Sequence, residues 1–336
     1  MVMREGHVRS LRKLGRDCAR RPVTPTLSPL RQQRRPSLLI VGCGDVGLRV
    51  LRLVAPRWRV LALTTSSNRQ GELRAAGAVA IVGNLDEPTH LARLAGVADA
   101  VLHLAPPPGT GGTDPRTRHL LQALARCGRV QRIVYGSTSG VYGDCAGAQI
   151  NESRELNPTT LRAQRRVDAE AQLRRFGLHF KVCVSVLRIP GIYAPDRSGG
   201  PRERLLRGTP VLADADDVYT NHIHADDLAR ACVAALLHGA PQRVYHASDN
   251  TDMKMGTYFD LAADLYGLAR PPRVTRAQTA AQLSPLQMSF MSESRRLLNE
   301  RLRLELGLVL RYPTVAQGLK SPAVGAVSSR GQWPAP

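Results

Sequence analysis

The chain has 336 residues, of which 43% are apolar and only 4% aromatic, so it can bury one large core built mostly from Leu, Val, Ala and Ile. No run of about 18 apolar residues occurs, which excludes a transmembrane helix, and six cysteines without a C-x-x-C pair or metal-ligand spacing read as a reduced, intracellular, cytoplasmic protein with no metal. The net charge of +20 is partly local, since residues 1–35 alone contribute +8, and the remainder is spread as Arg with no interleaved aromatics, which argues against nucleic-acid binding.

Residues 1–36 are basic and Pro-punctuated, with no sustained apolar period. They read as a disordered tail that superficially resembles an organelle transit peptide. The apolar run Leu38–Val41 then predicts a buried parallel strand, and Leu48–Val54 predicts a helix. Between them stands Gly42-Cys43-Gly44-Asp45-Val46-Gly47. A strand, a G-x-G-x-x-G turn and a helix form the fingerprint of a dinucleotide site. Gly42 serves the tight turn, Gly44 close approach to a pyrophosphate, and Gly47 helix–strand packing. The helix N-terminus, with Asp45 and Val46, faces the phosphates.

A second strand, Arg59–Thr65, should end at the adenosine ribose. No carboxylate stands there. Thr65 and Arg69 suit a 2′-phosphate better, which favours NADP over NAD, although Arg69 can equally sit on a solvated helix face. A third strand, Ala78–Gly83, leads to Asn84 and Leu85, placed to contact adenine, and to Asp86, read either as a contact or as a cap for the next helix. The fourth strand, Ala98–Ala105, delivers Leu104, Ala105 and Pro106 to the carboxyl edge of the sheet, where ligands bind in such folds. After a helix near Arg116–Cys127, the fifth strand, Arg132–Gly136, delivers Ser137, Thr138 and Ser139. The expected fold is therefore α/β: a doubly wound parallel sheet over residues 37–190, a smaller substrate region over 191–320 that includes a late strand, and a second disordered tail over 321–336. Met255–Tyr266 predicts an amphipathic helix stopped by Gly267, with Tyr258, Leu261, Ala262 and Leu265 on a core-facing stripe. His222 and His224 share one strand face but lack a third metal ligand with a motif behind it.

The run Ile133–Gly143 resembles the "SS…VYG" segment of the extended short-chain dehydrogenases/reductases, the NAD(P)-dependent nucleotide-sugar epimerase/dehydratase family. Val186–Pro195 resembles "LRxxxxYGP", Asn221–Ala229 resembles "RxxIHVDDLA", and Ser292–Arg296, Leu306-Gly307 and Tyr312–Thr314 resemble the closing segments. The resemblance covers about residues 37–319. It implies hydride transfer at an alcohol or carbonyl carbon of a sugar-type substrate, and a homodimer as the assembly.

The resemblance also implies a Ser/Thr, Tyr and Lys trio, with the Tyr as general acid/base and the Lys lowering its pKa. Thr138 takes the hydroxyl position, with Ser139 beside it. Counting back from Glu170 puts Arg162 at the Tyr position and Arg166 at the Lys position, one helical turn apart. Arg166 can supply a cation to ribose or phosphate. Arg162 cannot donate a proton near neutral pH, since its pKa exceeds about 12, but it can bind an anionic group. Alternatively, Arg162, Arg165 and Arg166 form a solvated face. A phenol could come instead from Tyr193, placed near the substrate, or from Tyr142, whose setting suits packing. The competing reading is a non-catalytic dinucleotide-binding sensor or scaffold.

Overall fold

The computed structural model describes residues 35–282 and 285–320. The tails expected at 1–36 and 321–336 lie outside the described residues, apart from Arg35 and Pro36. Seven strands form one parallel sheet: β1 (Ser37–Val41), β2 (Arg59–Thr64), β3 (Ala78–Val82), β4 (Ala100–His103), β5 (Arg132–Thr138), β6 (Cys183–Ile189) and β7 (Arg243–His246). Their order across the sheet is β7-β6-β5-β4-β1-β2-β3, with Val41 paired to Leu63 on one side and to His103 on the other. The strand order reverses between β1 and β4, which leaves a crevice at their carboxyl ends.

Both faces of β1 are covered, and its continuous apolar run follows from that. Leu38 and Ile40 pack with Val50 and Leu51 of helix α1 (Asp45–Val54). Leu39 and Val41, pointing the other way, share a core with Leu120, Leu124 and Leu173. The remaining helices that frame the site are α2 (Gln70–Ala75), α3 (Pro115–Ala125), α4 (Leu161–Phe180), α5 (Pro201–Leu206), α6 (Ala225–His238) and α7 (Met255–Tyr266). Helix α6 packs on α1 over one face of the sheet, and α4 packs on α3 over the other.

Helix α1 starts at Asp45, three residues earlier than read from the sequence. Gly47 therefore lies inside its first turn, where a Cβ would stand 3.2 Å from the Gly42 carbonyl and 3.4 Å from Ile40. Thr160 caps α4 by accepting from the Ala163 amide (3.2 Å). Gly267, at φ +63°, ends α7 as its position predicted. The chain after Gly191 builds a further core, in which Leu205, Val211, Tyr258, Phe259 and Val315 meet. It also returns α6 and β7 to the central sheet. Among the described residues, no helix is long and apolar enough to cross a membrane.

Candidate active site

A cleft of about 640 Å³ lies at the carboxyl ends of the central strands. The glycine turn (Gly42, Gly44–Gly47), Leu104, the end of β5 (Gly136–Gly140), Arg162 and Arg166 line its sheet side. Arg197, Arg204, Asn221, His222, Tyr258, Phe259, Phe290 and Glu293 line the side built by the later chain. Predicted site residues from three separate strand ends are thus brought into one space.

The glycine turn has the shape its spacing predicts. Gly42 sits at φ +86°, and a Cβ there would lie 2.4 Å from the Ala105 nitrogen, because the Val41 carbonyl accepts from both Leu104 N (2.7 Å) and Ala105 N (3.0 Å). Gly44 is different: its φ is an ordinary −82° and a Cβ would meet nothing within 4 Å. The missing side chain leaves open space over the first turn of α1, where free backbone N–H groups and the helix dipole favour phosphate. These residues fit a dinucleotide.

Arg69 donates to the Cys43 carbonyl (2.8 Å) and pairs with Glu72 (2.9 Å), so it braces the glycine turn instead of lying loose on α2. Thr65 beside it is exposed. Of the adenine candidates, Leu85 is buried in the sheet core. Asn84 turns its amide onto its own loop, accepting from Asp86 N (3.0 Å) and donating to Glu87 (3.2 Å). Asp86 does not cap the following 3-10 helix. It pairs with Arg116 (2.7 Å), whose guanidinium holds its carboxyl below the usual range and also donates to the Pro106 carbonyl (3.1 Å).

At the end of β5, Thr138 lines the cleft and its hydroxyl accepts from Gly140 N (3.2 Å), while Ser139 is buried beside it. The Ser137 hydroxyl is fully engaged, donating to Glu170 at 2.5 Å. Glu170 and Arg188, 4% and 3% exposed, form a two-point ion pair (2.7 and 3.2 Å). Arg188 also donates to the Tyr142 hydroxyl (2.6 Å), which donates to His246 Nε2 (2.5 Å), and His246 Nδ1 donates to the Leu298 carbonyl (2.9 Å). That tautomer follows from the network. Burial pushes the Tyr142 pKa up to about 12.

Arg162, Arg165 and Arg166 of α4 do not form a solvated face. Arg165 is buried and donates to the Gly111 carbonyl (2.7 Å). Arg166 donates to the Gly136 carbonyl (2.7 Å) and the Tyr135 hydroxyl (3.1 Å), which fixes it against β5. Arg162 lies over the Phe290 ring at 4.4 Å, in the cleft.

Neither proposed substitute phenol reaches the cleft. Tyr142 belongs to the buried network. Tyr193 is 1% exposed, donates to the Thr314 carbonyl (3.3 Å), and fits over Gly318, where any Cβ would meet its hydroxyl at 2.4 Å. Its placement near the substrate is therefore corrected. Strand alternation turns Ile192 to the cleft and Tyr193 into the core. His222 and His224 share a strand face as expected, both edge-on to Tyr193, but have different partners. His222 lines the cleft, stacked on Tyr258 at 4.0 Å, with its pKa pushed down to about 3 by burial. His224 caps α6 by accepting from Asp226 N (3.2 Å).

Several cleft residues carried no sequence signal. Arg204 and Phe259 belong to no motif. Glu293 and Arg295 lie within the closing segment but had no assigned role. Glu293 accepts from Arg295 (2.7 Å) and Thr159 (3.2 Å).

Residues 38–248 match the model of the NAD dependent epimerase/dehydratase family. A dTDP-D-glucose 4,6-dehydratase from Bos taurus is 24% identical over 164 residues, 45% of this chain and 44% of the relative, so the chain spans less than half of that protein's length. A functionally unknown conserved protein from Silicibacter pomeroyi superposes with a TM-score of 0.73 at 31% identity, covering 85% of this chain and 97% of that one. A dTDP-glucose 4,6-dehydratase from Streptomyces venezuelae, solved with NAD bound, superposes with a TM-score of 0.69 at 23% identity, covering 84% of this chain and 94% of that one, and shares the fold. The chain belongs to the NAD dependent epimerase/dehydratase family.

Proposed function

We propose that this family member holds a nicotinamide dinucleotide against Gly42–Gly47 and acts on an alcohol or carbonyl group of a small sugar-type substrate placed between Thr138 and Arg162. The observation that carries the reading is the single cleft joining the glycine turn, the hydroxyls at the end of β5 and the arginines of α4. The backbone of Gly44–Gly47 and the α1 N-terminus would hold the pyrophosphate, and Arg69 a 2′-phosphate. Bound there, the dinucleotide supplies the hydride acceptor or donor.

Arg162 and Arg166 take the positions of the family's Tyr and Lys. Arg166, fixed by Gly136 and Tyr135, keeps a positive charge beside the cofactor site. Arg162 cannot pass a proton. It can hydrogen-bond the substrate oxygen and stabilise negative charge developing there, as Thr138 can from the other side. The NAD-bound dehydratase of the same fold supports the choice of cofactor class.

The burial of Tyr142 and Tyr193 away from the cleft favours a second reading, a dinucleotide-binding sensor without turnover. Calorimetric titration with NADPH and NADH tests the cofactor, and no binding of either overturns both readings. Nicotinamide absorbance followed across a panel of nucleotide sugars and simple sugar acids then separates them. Turnover supports the enzyme, and tight binding without turnover supports the sensor.

A further inference from the structure

Among the described residues, five arginines line the cleft: Arg162, Arg166, Arg197, Arg204 and Arg295. Three of them have partners. Arg166 donates to Gly136 and Tyr135, Arg197 pairs with Asp45 (2.5 Å), and Arg295 pairs with Glu293 and donates to the Gly143 carbonyl (2.8 Å). Asp45 and Glu293 are the carboxylates among the cleft-lining residues, and both are engaged.

Arg162 and Arg204 stand apart. Among the described residues, neither guanidinium has a hydrogen-bond acceptor or a carboxylate partner. Each instead lies over a phenyl ring at 4.4 Å from its centroid, Arg162 over Phe290 and Arg204 over Phe259. The Arg204 Nε is buried with no partner. Burial pulls both pKa values below the ordinary guanidinium value. The Glu293 carboxylate attracts Arg162 from beyond ion-pair contact, and a partly desolvated cation with no carboxylate touching it destabilises a fold. Stacking on a ring holds the planar fork in one orientation and leaves its N–H edge free, an arrangement suited to a planar or tetrahedral anion. The two forks come from opposite sides: Arg162 from α4 of the sheet half, Arg204 from α5 of the later chain.

We infer that the substrate of this cleft carries two acidic groups, carboxylate or phosphate, one received by Arg162 beside Thr138 and the other by Arg204 on Phe259. The inference rests on the reading of this cleft as a substrate site. It predicts that a small dianion binds without any nucleoside. An acidic group on Arg162 would lie next to the reacting carbon, which makes the substrate a hydroxy or oxo acid, or a phosphorylated one.

The test is calorimetric titration of the full chain, at low salt, with succinate, 3-phosphoglycerate and, as a one-group comparison, inorganic phosphate. Arg162→Gln, Arg204→Gln and the two Lys variants are compared with the parent. Each Gln variant should weaken the preferred dianion at least tenfold, with partial recovery in the Lys variant. A stronger response to succinate identifies two carboxylates, and a stronger response to 3-phosphoglycerate identifies a carboxylate with a phosphate. Gln variants within twofold of the parent, or a parent that binds none of the three probes, overturn the inference. Thermal unfolding guards against misfolding: removal of an unpartnered charge should leave the midpoint unchanged or higher. NADPH and NADH titration of the same variants separates this inference from the cofactor reading. Dianion binding with neither NADPH nor NADH binding sinks the cofactor reading alone, and binding of either cofactor with no loss of dianion affinity in the variants sinks the dianion site alone.

Discussion

Replacing Glu170 by Ala should be the most destabilising single change near the site. The carboxylate is 4% exposed and holds three bonds: two from Arg188, itself 3% exposed, and one from Ser137. Truncation leaves a buried guanidinium without its counter-charge, which costs about 3–5 kcal/mol. The orphaned Ser137 hydroxyl adds roughly 1 kcal/mol. Thermal unfolding entropy near 2.1 cal/mol/K per residue, over roughly 290 residues, makes 1 kcal/mol about 1.6 °C. The expected drop in Tm is thus about 7–10 °C, measured by circular dichroism with parallel urea unfolding. Removing both charges, as Glu170→Leu with Arg188→Met, should recover most of the loss, because apolar replacement of a whole buried pair is often close to neutral. A Glu170→Ala midpoint within about 2 °C of the parent would refute the view that this pair anchors the end of β5.

The two turn glycines should separate folding from binding. Gly42→Ala forces a Cβ against Ala105 at φ +86° and should cost more than about 2 kcal/mol. Gly44→Ala should leave Tm unchanged yet weaken dinucleotide binding about tenfold or more by calorimetry, and equal affinities would count against the phosphate site. Arg69→Gln should weaken NADPH by roughly tenfold while leaving NADH within about twofold, so parallel losses for both would place Arg69 as a brace only. Asp249 is buried, and burial raises its pKa to about 7. The folded protein therefore binds a proton that the unfolded chain has lost between about pH 4 and 7. That contribution to stability falls as pH rises through this window. Asp249→Asn should thus gain stability relative to the parent from acid to neutral pH in urea titrations, and a difference that stays flat with pH would contradict the assignment.

Much of the fold was legible because a parallel sheet buried on both faces leaves continuous apolar runs punctuated by glycine. Leu38–Val41 with its glycine turn, and Met255–Tyr266 with Gly267, are such cases. The side chains that meet across the cleft were harder to read. Arg188, Glu170, Tyr142 and His246 come from four elements, and no local spacing reveals that they share one buried network. Arg204 needs Phe259, from another helix, before its isolation becomes visible. Tyr193 was misplaced because a motif locates a residue along a strand without telling which face it takes. The proposed placement of Arg162 and Arg166 at the family's Tyr and Lys positions needed only counting from Glu170.

Arg49 is 8% exposed and meets Asp45 of its own helix, Asp196 of the loop after Tyr193, and Asp226 at the start of α6. One side chain of the glycine-turn helix thus takes carboxylates from two later stretches of the chain. Exchanging either part between relatives is therefore not a modular operation. A graft of the later chain that lacks Asp196 and Asp226 leaves Arg49 with Asp45 alone, and a graft of the first helix that lacks Arg49 leaves those two carboxylates without their shared cation. Chimeras in this family should be cut so that these residues travel together.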